Sequence, residues 1–185
     1  MKKWLDPQLG QPVGIQPVRF EGWAELYKEA PKKAKMHLNG PQKHDIIAVI
    51  SLLDLHGPTI YPIHLHTYET RYEWAKQDIE KKVGEAKFFQ FFAVHEVEAW
   101  LFSEPNIFPT AIRNAFPKKI QKPETVNFDE PPAKLLERLY PLHLRRSYKK
   151  VVDGKELFGK LDSIKAYHKC PELKELLDKM LDLAR

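Results

Sequence analysis

A buried strand that ends in charged residues constrains the fold of this chain more than any other feature. It lies within residues 87–105 (KFFQFFAVHEVEAWLFSEP), where positions 88–94 are apolar at both even and odd places. A strand with one exposed face would alternate, so this pattern predicts a strand covered on both sides, as in the middle of an α/β sheet. His95, Glu96 and Glu98 follow at its carboxyl end, where open α/β sheets bind their ligands. The segment therefore predicts both the centre of the sheet and the functional site.

A second strand of the same kind is predicted over residues 44–54 (HDIIAVISLLD), again with both faces apolar and again ending in a carboxylate, Asp54. Between the two strands, residues 68–83 have the spacing of an amphipathic helix, and Gly84 is typical of a helix end. The order strand, helix, strand predicts parallel neighbours. We therefore expect an α/β fold with a mostly parallel sheet flanked by helices.

The remaining segments complete a prediction of one domain over residues 1–185, because the length and 43% hydrophobic content suit a single core. We expect an irregular arm over 1–18, an α/β core over 19–104, and a Pro-rich loop with a helical C-terminal part over 105–185. Within residues 22–38, Pro31 is expected to break or restart a helix. Residues 133–140 and 171–183 are predicted to be helical.

The same composition excludes several classes of protein. No window approaches the roughly 18 consecutive apolar residues that cross a bilayer, and the N-terminal residues lack the apolar core of a secretory signal. Cys170 is the only cysteine, which excludes an internal disulfide and suits a reducing compartment. We expect a soluble, cytoplasmic protein without a membrane partner.

Three carboxylates are the main candidates for chemistry. If the two strands are parallel neighbours, Asp54, Glu96 and Glu98 follow adjacent strand ends and are expected to converge. Clustered carboxylates call for a cation, and oxygen ligands are those that Mg²⁺ or Mn²⁺ prefers. Alternatively, either glutamate caps the start of a helix. In a strand the two glutamates share a face, whereas in a helix they lie about 200° apart.

Other catalytic chemistries are weakly supported. His95 is a candidate ligand or general acid/base, although a lone histidine at a strand end commonly hydrogen-bonds to nearby backbone. The HEVEA segment lacks the second histidine of a zinc protease, since Ala99 stands there. His64 and His66 have no evident third zinc ligand. The sequence also lacks a Gly-rich phosphate loop and a serine or cysteine nucleophile elbow.

The densest basic group consists of Arg145, Arg146, Lys149 and Lys150 around Tyr148. The net charge is +5, and residues 118–150 hold nine Lys/Arg against four Asp/Glu, so the whole excess lies in this segment. Such a group indicates binding to the nucleic-acid backbone, to a phosphoryl group or to an acidic partner. A solvated helix end would have the same composition.

Several motifs resemble one bacterial family. HEVEAWLFSEP is similar to the HEFEALLFSDP signature of the family catalogued as domain of unknown function 4276, and LLDLHG is similar to that family's strand ending in Asp-x-Tyr-Gly. PPAKLLERLYP and YKKVVDGKELFGKLDSIKAYHKCPELKELLDKM resemble its tail, with Tyr-x-Lys, Gly and Cys-Pro in the same order. The resemblance covers residues 43–183.

The resemblance implies a Toprim-like fold, a class that includes Mg²⁺-dependent nucleases. It implies that Asp54, Glu96 and Glu98 hold the metal and that Lys149 or Lys150 contacts phosphate. It also implies an AAA- or ABC-type ATPase partner and a role in anti-phage defence. The family's usual opening strand with Glu-Gly does not precede residue 15, and His56 stands where a Toprim Asp-x-Asp has its second aspartate, so a catalytically degenerate member is also expected.

Three functions remain open from the sequence. The first is a Mg²⁺-dependent nucleic-acid phosphodiester hydrolase, or a degenerate relative, in which His95 and Lys149 assist the carboxylates. The second is a non-catalytic protein- or nucleic-acid-interaction module in which the carboxylates are structural. The third, with less support, is a small-molecule phosphohydrolase.

Overall fold

The computed structural model describes residues 1–125 and 130–185, which form two compact units. The N-terminal unit consists of Lys2, Trp4–Phe92 and Lys179–Arg185, and the C-terminal unit consists of Met1, Lys3 and Ala93–Asp178. No helix in the described parts of the chain has both the length and the apolar content that crossing a membrane requires.

The N-terminal unit contains the sheet. Strand β1 (Val49–Asp54) and strand β2 (Phe88–Ala93) are parallel neighbours, and the Val49 N–H donates to the Lys87 carbonyl at 2.9 Å. The predicted α/β class and the parallel pairing are confirmed. Strand β2 is almost wholly buried, as predicted, whereas most of β1 is half-buried. Strand β1 is also shorter than the expected 44–54, because residues 41–45 form a turn and residues 46–48 have no regular structure.

Helix α3 (Tyr68–Val83) connects the two strands and has the predicted bounds. Its start is capped by the Thr67 hydroxyl, which accepts from the Thr70 N–H at 3.3 Å. At its end Gly84 takes the left-handed conformation with φ 67°, and its N–H donates to the Glu80 carbonyl at 2.9 Å. Both ends of this helix are local signals, which is why the sequence predicts them.

Helix α2 (Trp23–Asn39) contradicts the expected break at Pro31, because the helix continues through the proline. Proline removes one backbone hydrogen bond and strains the preceding turn. Here a stripe of buried side chains compensates, formed by Leu26, Ala30, Ala34 and Leu38 at four-residue spacing. This stripe belongs to a core that also includes side chains of α3, β1 and β2, so tertiary packing overrides local propensity.

Helix α1 (Lys2–Leu9) is a second correction, since residues 1–18 were expected to be irregular. The segment from Gly10 to residue 20 has no regular structure. The two large apolar side chains of α1, Trp4 and Leu5, are buried. Burial of two such side chains contributes several kcal/mol, about 1.5–3 kcal/mol each, which favours the helix over an irregular arm.

Each unit has its own apolar core. The N-terminal core comprises Leu26, Ala30, Ala34, Leu38, Leu53, Leu55, Tyr72, Ala75, Ile79, Val83, Phe88 and Phe92. The C-terminal core comprises Leu101, Phe102, Phe108, Ile112, Ile120, Leu135, Leu136, Leu139, Tyr140, Tyr148 and Leu157.

The C-terminal unit is built from helices, and the predicted helical C-terminal part is confirmed. Short 3-10 helices span Val97–Ser103, Pro105–Ile107, Lys118–Gln121 and Pro123–Thr125. The α-helices are α4 (Thr110–Asn114), α5 (Pro132–Leu144), α6 (Lys150–Lys160), α7 (Ser163–Lys169) and α8 (Pro171–Ala184). Residues 171–178 of α8 belong to this unit.

One buried carboxylate, Glu124, ties three segments of the C-terminal unit together. It accepts hydrogen bonds from the Trp100 indole N–H at 2.6 Å and from the Glu172 and Leu173 backbone N–H groups at 2.8 and 3.2 Å. The two backbone donors lie in the first turn of α8, which leaves such groups without partners inside the helix. Burial outweighs these hydrogen bonds and raises the pKa of Glu124 from 4.5 to about 7.

The raised pKa of Glu124 predicts a pH-dependent stability. The folded state binds the proton more tightly than the unfolded state, so stability should fall as pH rises from about 4.5 to about 7. The shift corresponds to about 3 kcal/mol. In Glu124→Gln this part of the pH dependence should disappear in urea unfolding followed across that range. The exposed Glu137→Gln should keep the wild-type profile, and an unchanged profile in Glu124→Gln would contradict the assignment.

Candidate functional site

The chain turns sharply where β2 ends and the predicted site begins. His95 lies two residues beyond the last residue of β2 and has a left-handed backbone, with φ 64°. Histidine tolerates this region better than most residues other than glycine. The turn leads directly into the 3-10 helix Val97–Ser103. Neither strand nor helix geometry therefore relates Glu96 to Glu98, contrary to both arrangements considered from the sequence.

Glu96 is bound to the start of another helix. It occupies the residue before the 3-10 helix, and its Oε2 accepts from the backbone N–H of Ala133 at 2.7 Å. Ala133 is the second residue of α5, so the carboxylate satisfies a first-turn donor and favours the helix dipole. Glu96 thus acts as a helix cap, which was one of the alternatives drawn from the sequence. The helix that it caps is α5 rather than the helix that follows Glu96 in the chain.

Glu98 is the buried carboxylate of the site. Its side chain is 2% exposed, and its Oε1 lies 3.0 Å from the Nζ of Lys150, whose own side chain is 50% exposed. The pair joins the 3-10 helix to the first residue of α6. One end of this ion pair is therefore inside the unit while the other reaches the surface.

Tyr148 lies two residues before Lys150 and is buried. Its ring packs edge to face on Tyr140, with centroids 5.0 Å apart. Burial raises the pKa of the Tyr148 phenol above its usual value, and the nearby charges of Glu98 and Asp153 raise it further. The phenol consequently stays neutral and is able to donate a hydrogen bond.

The basic group contains an ion pair that the sequence analysis missed. Arg146 binds Asp153 through two hydrogen bonds of 2.7 and 3.0 Å, and its guanidinium lies 4.9 Å from the centroid of the Tyr140 ring. Asp153 also accepts from the Lys149 backbone N–H at 2.6 Å, which ties down the start of α6. These contacts with Arg146 lower the pKa of the Asp153 carboxyl. An acidic residue in the first turn of a predicted helix was the available signal.

The four predicted basic residues therefore divide into two pairs. Arg146 and Lys150 have half-exposed side chains and form ion pairs with buried carboxylates. Arg145, at the left-handed end of α5 with φ 55°, and Lys149 are exposed. Two of the basic residues therefore belong to ion pairs within the unit, and two belong to a solvated surface. The sequence analysis considered the solvated surface as an alternative to phosphate binding, but it did not consider the ion pairs.

Asp54 is the last residue of β1 and belongs to the N-terminal unit, whereas Glu96 and Glu98 belong to the C-terminal unit. Its side chain is half-buried. The expected convergence of the three carboxylates stays a prediction.

The donor chemistry suits a hard cation at Glu98 better than at Glu96. Across residues 1–125 and 130–185, no three His, Cys, Asp or Glu side chains are grouped so as to hold a metal ion. Mg²⁺, however, commonly uses one or two carboxylates and completes its shell with water and phosphate oxygens. Both carboxylates have a partner, since Glu96 accepts from the backbone of α5 and Glu98 pairs with Lys150, but the lysine side chain is half-exposed and the backbone donor is fixed within a helix. Glu98 therefore fits such a site.

Comparisons with known proteins give one match. No curated protein and no solved structure is significantly similar to the chain. A family model described as a domain of unknown function (DUF4276) matches residues 2–181, a longer span than the motifs of the sequence analysis cover.

Proposed function

The chain belongs to the family of domain of unknown function 4276, and from this premise we propose that it is a Toprim-like, Mg²⁺-dependent nucleic-acid phosphodiester hydrolase or a degenerate relative. We further propose that it works in the bacterial cytoplasm with a partner ATPase in a defence-type system. The observation that carries the proposal is the Glu98–Lys150 pair, with its 2% exposed carboxylate and half-exposed lysine.

A pair of this kind is poorly explained by stability alone. Pairing a buried carboxylate with a half-exposed lysine gains little over an apolar contact, because the desolvation penalty of the carboxylate offsets the attraction. Hydrolysis of a phosphodiester, by contrast, needs anionic oxygens to hold a cation and a positive group to contact the phosphate. The Glu98 carboxylate and the Lys150 ammonium provide an anionic oxygen and a positive group of this kind, with Oε1 and Nζ 3.0 Å apart.

The proposed roles follow from this arrangement. Glu98 supplies a carboxylate oxygen to the metal, and the family resemblance implies the same role for Asp54. Glu96 caps the start of α5. Lys150 and the exposed Lys149 contact the phosphate. His95 holds the turn that leads into the Glu98 segment. When bound, Mg²⁺ would neutralise phosphate charge and lower the pKa of a water molecule.

A nuclease assay with Mg²⁺ or Mn²⁺ tests the proposed activity. Asp54→Ala and Glu98→Gln should each lower the rate of DNA or RNA cleavage by about tenfold or more, since each loses a metal-binding oxygen. Asp45→Ala is a matched control, because Asp45 is an exposed turn residue of the same unit as Asp54. Equal cleavage by the wild type and Asp54→Ala would sink the assignment.

A second function, a non-catalytic interaction module, is favoured by a specific observation: both glutamates already have partners within the chain, Ala133 and Lys150. Thermal unfolding distinguishes the two functions. A metal that binds only the folded state must raise the midpoint, so millimolar Mg²⁺ should stabilise a hydrolase. No shift, together with no cleavage, would favour the interaction module.

A further inference from the structure

One face of helix α6 presents large apolar side chains to solvent. Val151 and Val152 are 72% and 62% exposed, and Phe158 is 36% exposed. Because an α-helix turns by about 100° per residue, these three side chains lie on two adjoining stripes, on the other side from the buried Leu157. Three such side chains on a helix of 11 residues form a patch, and exposed apolar patches mark interaction sites more than single exposed residues do.

The exposed face also carries a glycine that the described residues do not explain. A Cβ atom at Gly159 would meet none of their atoms within 4 Å, and its φ is not positive. Glycine is unfavourable in a helix relative to alanine, so Gly159 costs stability without relieving a clash. By contrast, a Cβ atom at Gly154 of the same helix would lie 3.3 Å from the Oη of the buried Tyr148. Gly159 therefore leaves a place where another backbone can approach closely.

A positive charge lies within this face rather than at its edge. Lys155 is exposed, and it follows Val151 by four residues and precedes Phe158 by three, the spacings that bring side chains together on a helix. Glu156, on the adjoining stripe, is paired with Lys160, with Oε1 and Nζ 2.5 Å apart. The face thus combines apolar side chains with the charge of Lys155. Its complement is a surface that carries apolar and acidic side chains.

We propose that this face of α6 is a docking surface for an amphipathic helix of a partner protein, with acidic side chains beside its apolar ones. Apolar anchors spaced three, four and seven residues apart are those that helix recognition uses. Val151, Val152 and Phe158 supply the anchors. Lys155 pairs with a partner carboxylate, and Gly159 lets the partner backbone approach. The inference goes beyond the proposed function, because none of these five residues belongs to the proposed hydrolytic site.

Two other occupants suit this face less well. An isologous contact between two copies of the chain would bring like lysines together near the two-fold axis. A lipid surface would receive Lys155 together with the apolar side chains, whereas helices that lie on membranes carry their lysines on the opposite, polar face. A partner carboxylate, by contrast, neutralises the lysine within the contact.

A charge-reversal experiment with a synthetic peptide tests the proposal. The probe is a fluorescent alanine-based helical peptide with leucines at three- and four-residue spacing and glutamates beside them. Its affinity for the full chain is measured by anisotropy. Phe158→Ala and Lys155→Glu should each weaken binding about tenfold, a usual scale for a residue at the centre of an interface. Lys155→Glu should also gain affinity for the matched peptide that has lysines in place of the glutamates.

Two further variants separate docking from stability. Gly159→Ala should weaken peptide binding about tenfold although its thermal midpoint does not fall, because the added methyl group has room within the chain and meets only the partner. Ile164→Ala is the matched control, since Ile164 is 58% exposed on α7 of the same unit. It should bind the peptide like the wild type.

Each contrary result overturns the proposal. Failure of the wild type to bind the glutamate peptide, or equal binding by the wild type and Lys155→Glu, would exclude an acidic partner helix on this face. Self-association in sedimentation that Phe158→Ala abolishes would assign the face to a second copy of the chain. Pelleting with phosphatidylserine vesicles that Phe158→Ala abolishes would assign it to a lipid surface. None of these results alters the expected cleavage, because the face lies outside the proposed site.

Discussion

Replacing Lys150 with alanine is expected to lower the free energy of unfolding by about 3 kcal/mol, because it leaves the buried Glu98 carboxylate without its cation. The loss of stability is moderated because the Lys150 side chain is half-exposed, so water can approach the site that the lysine leaves. Urea unfolding at neutral pH measures the effect. Lys155→Ala is the matched control, because Lys155 is an exposed residue of the same helix, and it should change stability by less than about 0.5 kcal/mol.

The double variant Glu98→Gln/Lys150→Ala sharpens the interpretation of that loss. Removing the buried charge together with its partner should recover much of the stability, since the penalty comes from the unpaired charge rather than from the missing contact. If Lys150→Ala unfolds at the same urea concentration as Lys155→Ala, the pair at 3.0 Å does not contribute in solution.

Replacing Phe92 with alanine should destabilise the N-terminal unit by about 3–5 kcal/mol, the range for truncating a buried aromatic side chain. Phe92 is 1% exposed, and its ring packs edge to face on Tyr72 with centroids 5.3 Å apart. The change therefore removes apolar area and leaves a cavity between β2 and α3. Unfolding followed by circular dichroism measures the loss.

Phe89 provides an internal comparison for Phe92 on the same strand. It is only half-buried, and the Lys179 ammonium lies 4.2 Å from its ring centroid. Phe89→Ala should cost clearly less, because less area leaves water and the site can fill with solvent. Equal losses in the two variants would mean that the two faces of β2 are not packed as described.

The parts of the fold that sequence analysis predicted have local signals. Strand β2 and helix α3 could be predicted because their signals are local: the spacing of apolar residues in each segment, and Gly84 at the end of the helix. The prediction of a break at Pro31 was wrong. The destabilising effect of proline is local, whereas it is offset by tertiary packing of four side chains, Leu26, Ala30, Ala34 and Leu38. The helix at Lys2–Leu9 escaped prediction for the same reason.

The candidate site shows the same difference between local sequence signals and tertiary contacts. The carboxylates and basic residues could be identified from their types and positions, but their partners could not, since Glu98 and Lys150 are distant in the chain and no periodicity links them. The left-handed conformation of His95 has no signature comparable to a glycine. Sequence analysis also missed Glu124, whose role depends on Trp100 and the start of α8.

The bonds made by Asp153 determine which substitutions in the basic group can be interpreted. Neutralising Arg146 removes a positive charge from the surface, but it also releases the carboxylate that holds the start of α6. Weaker nucleic-acid binding in such a variant would not distinguish a lost phosphate contact from a displaced helix. Lys149 is the cleaner choice, because Asp153 binds its backbone N–H and a changed side chain leaves that bond in place.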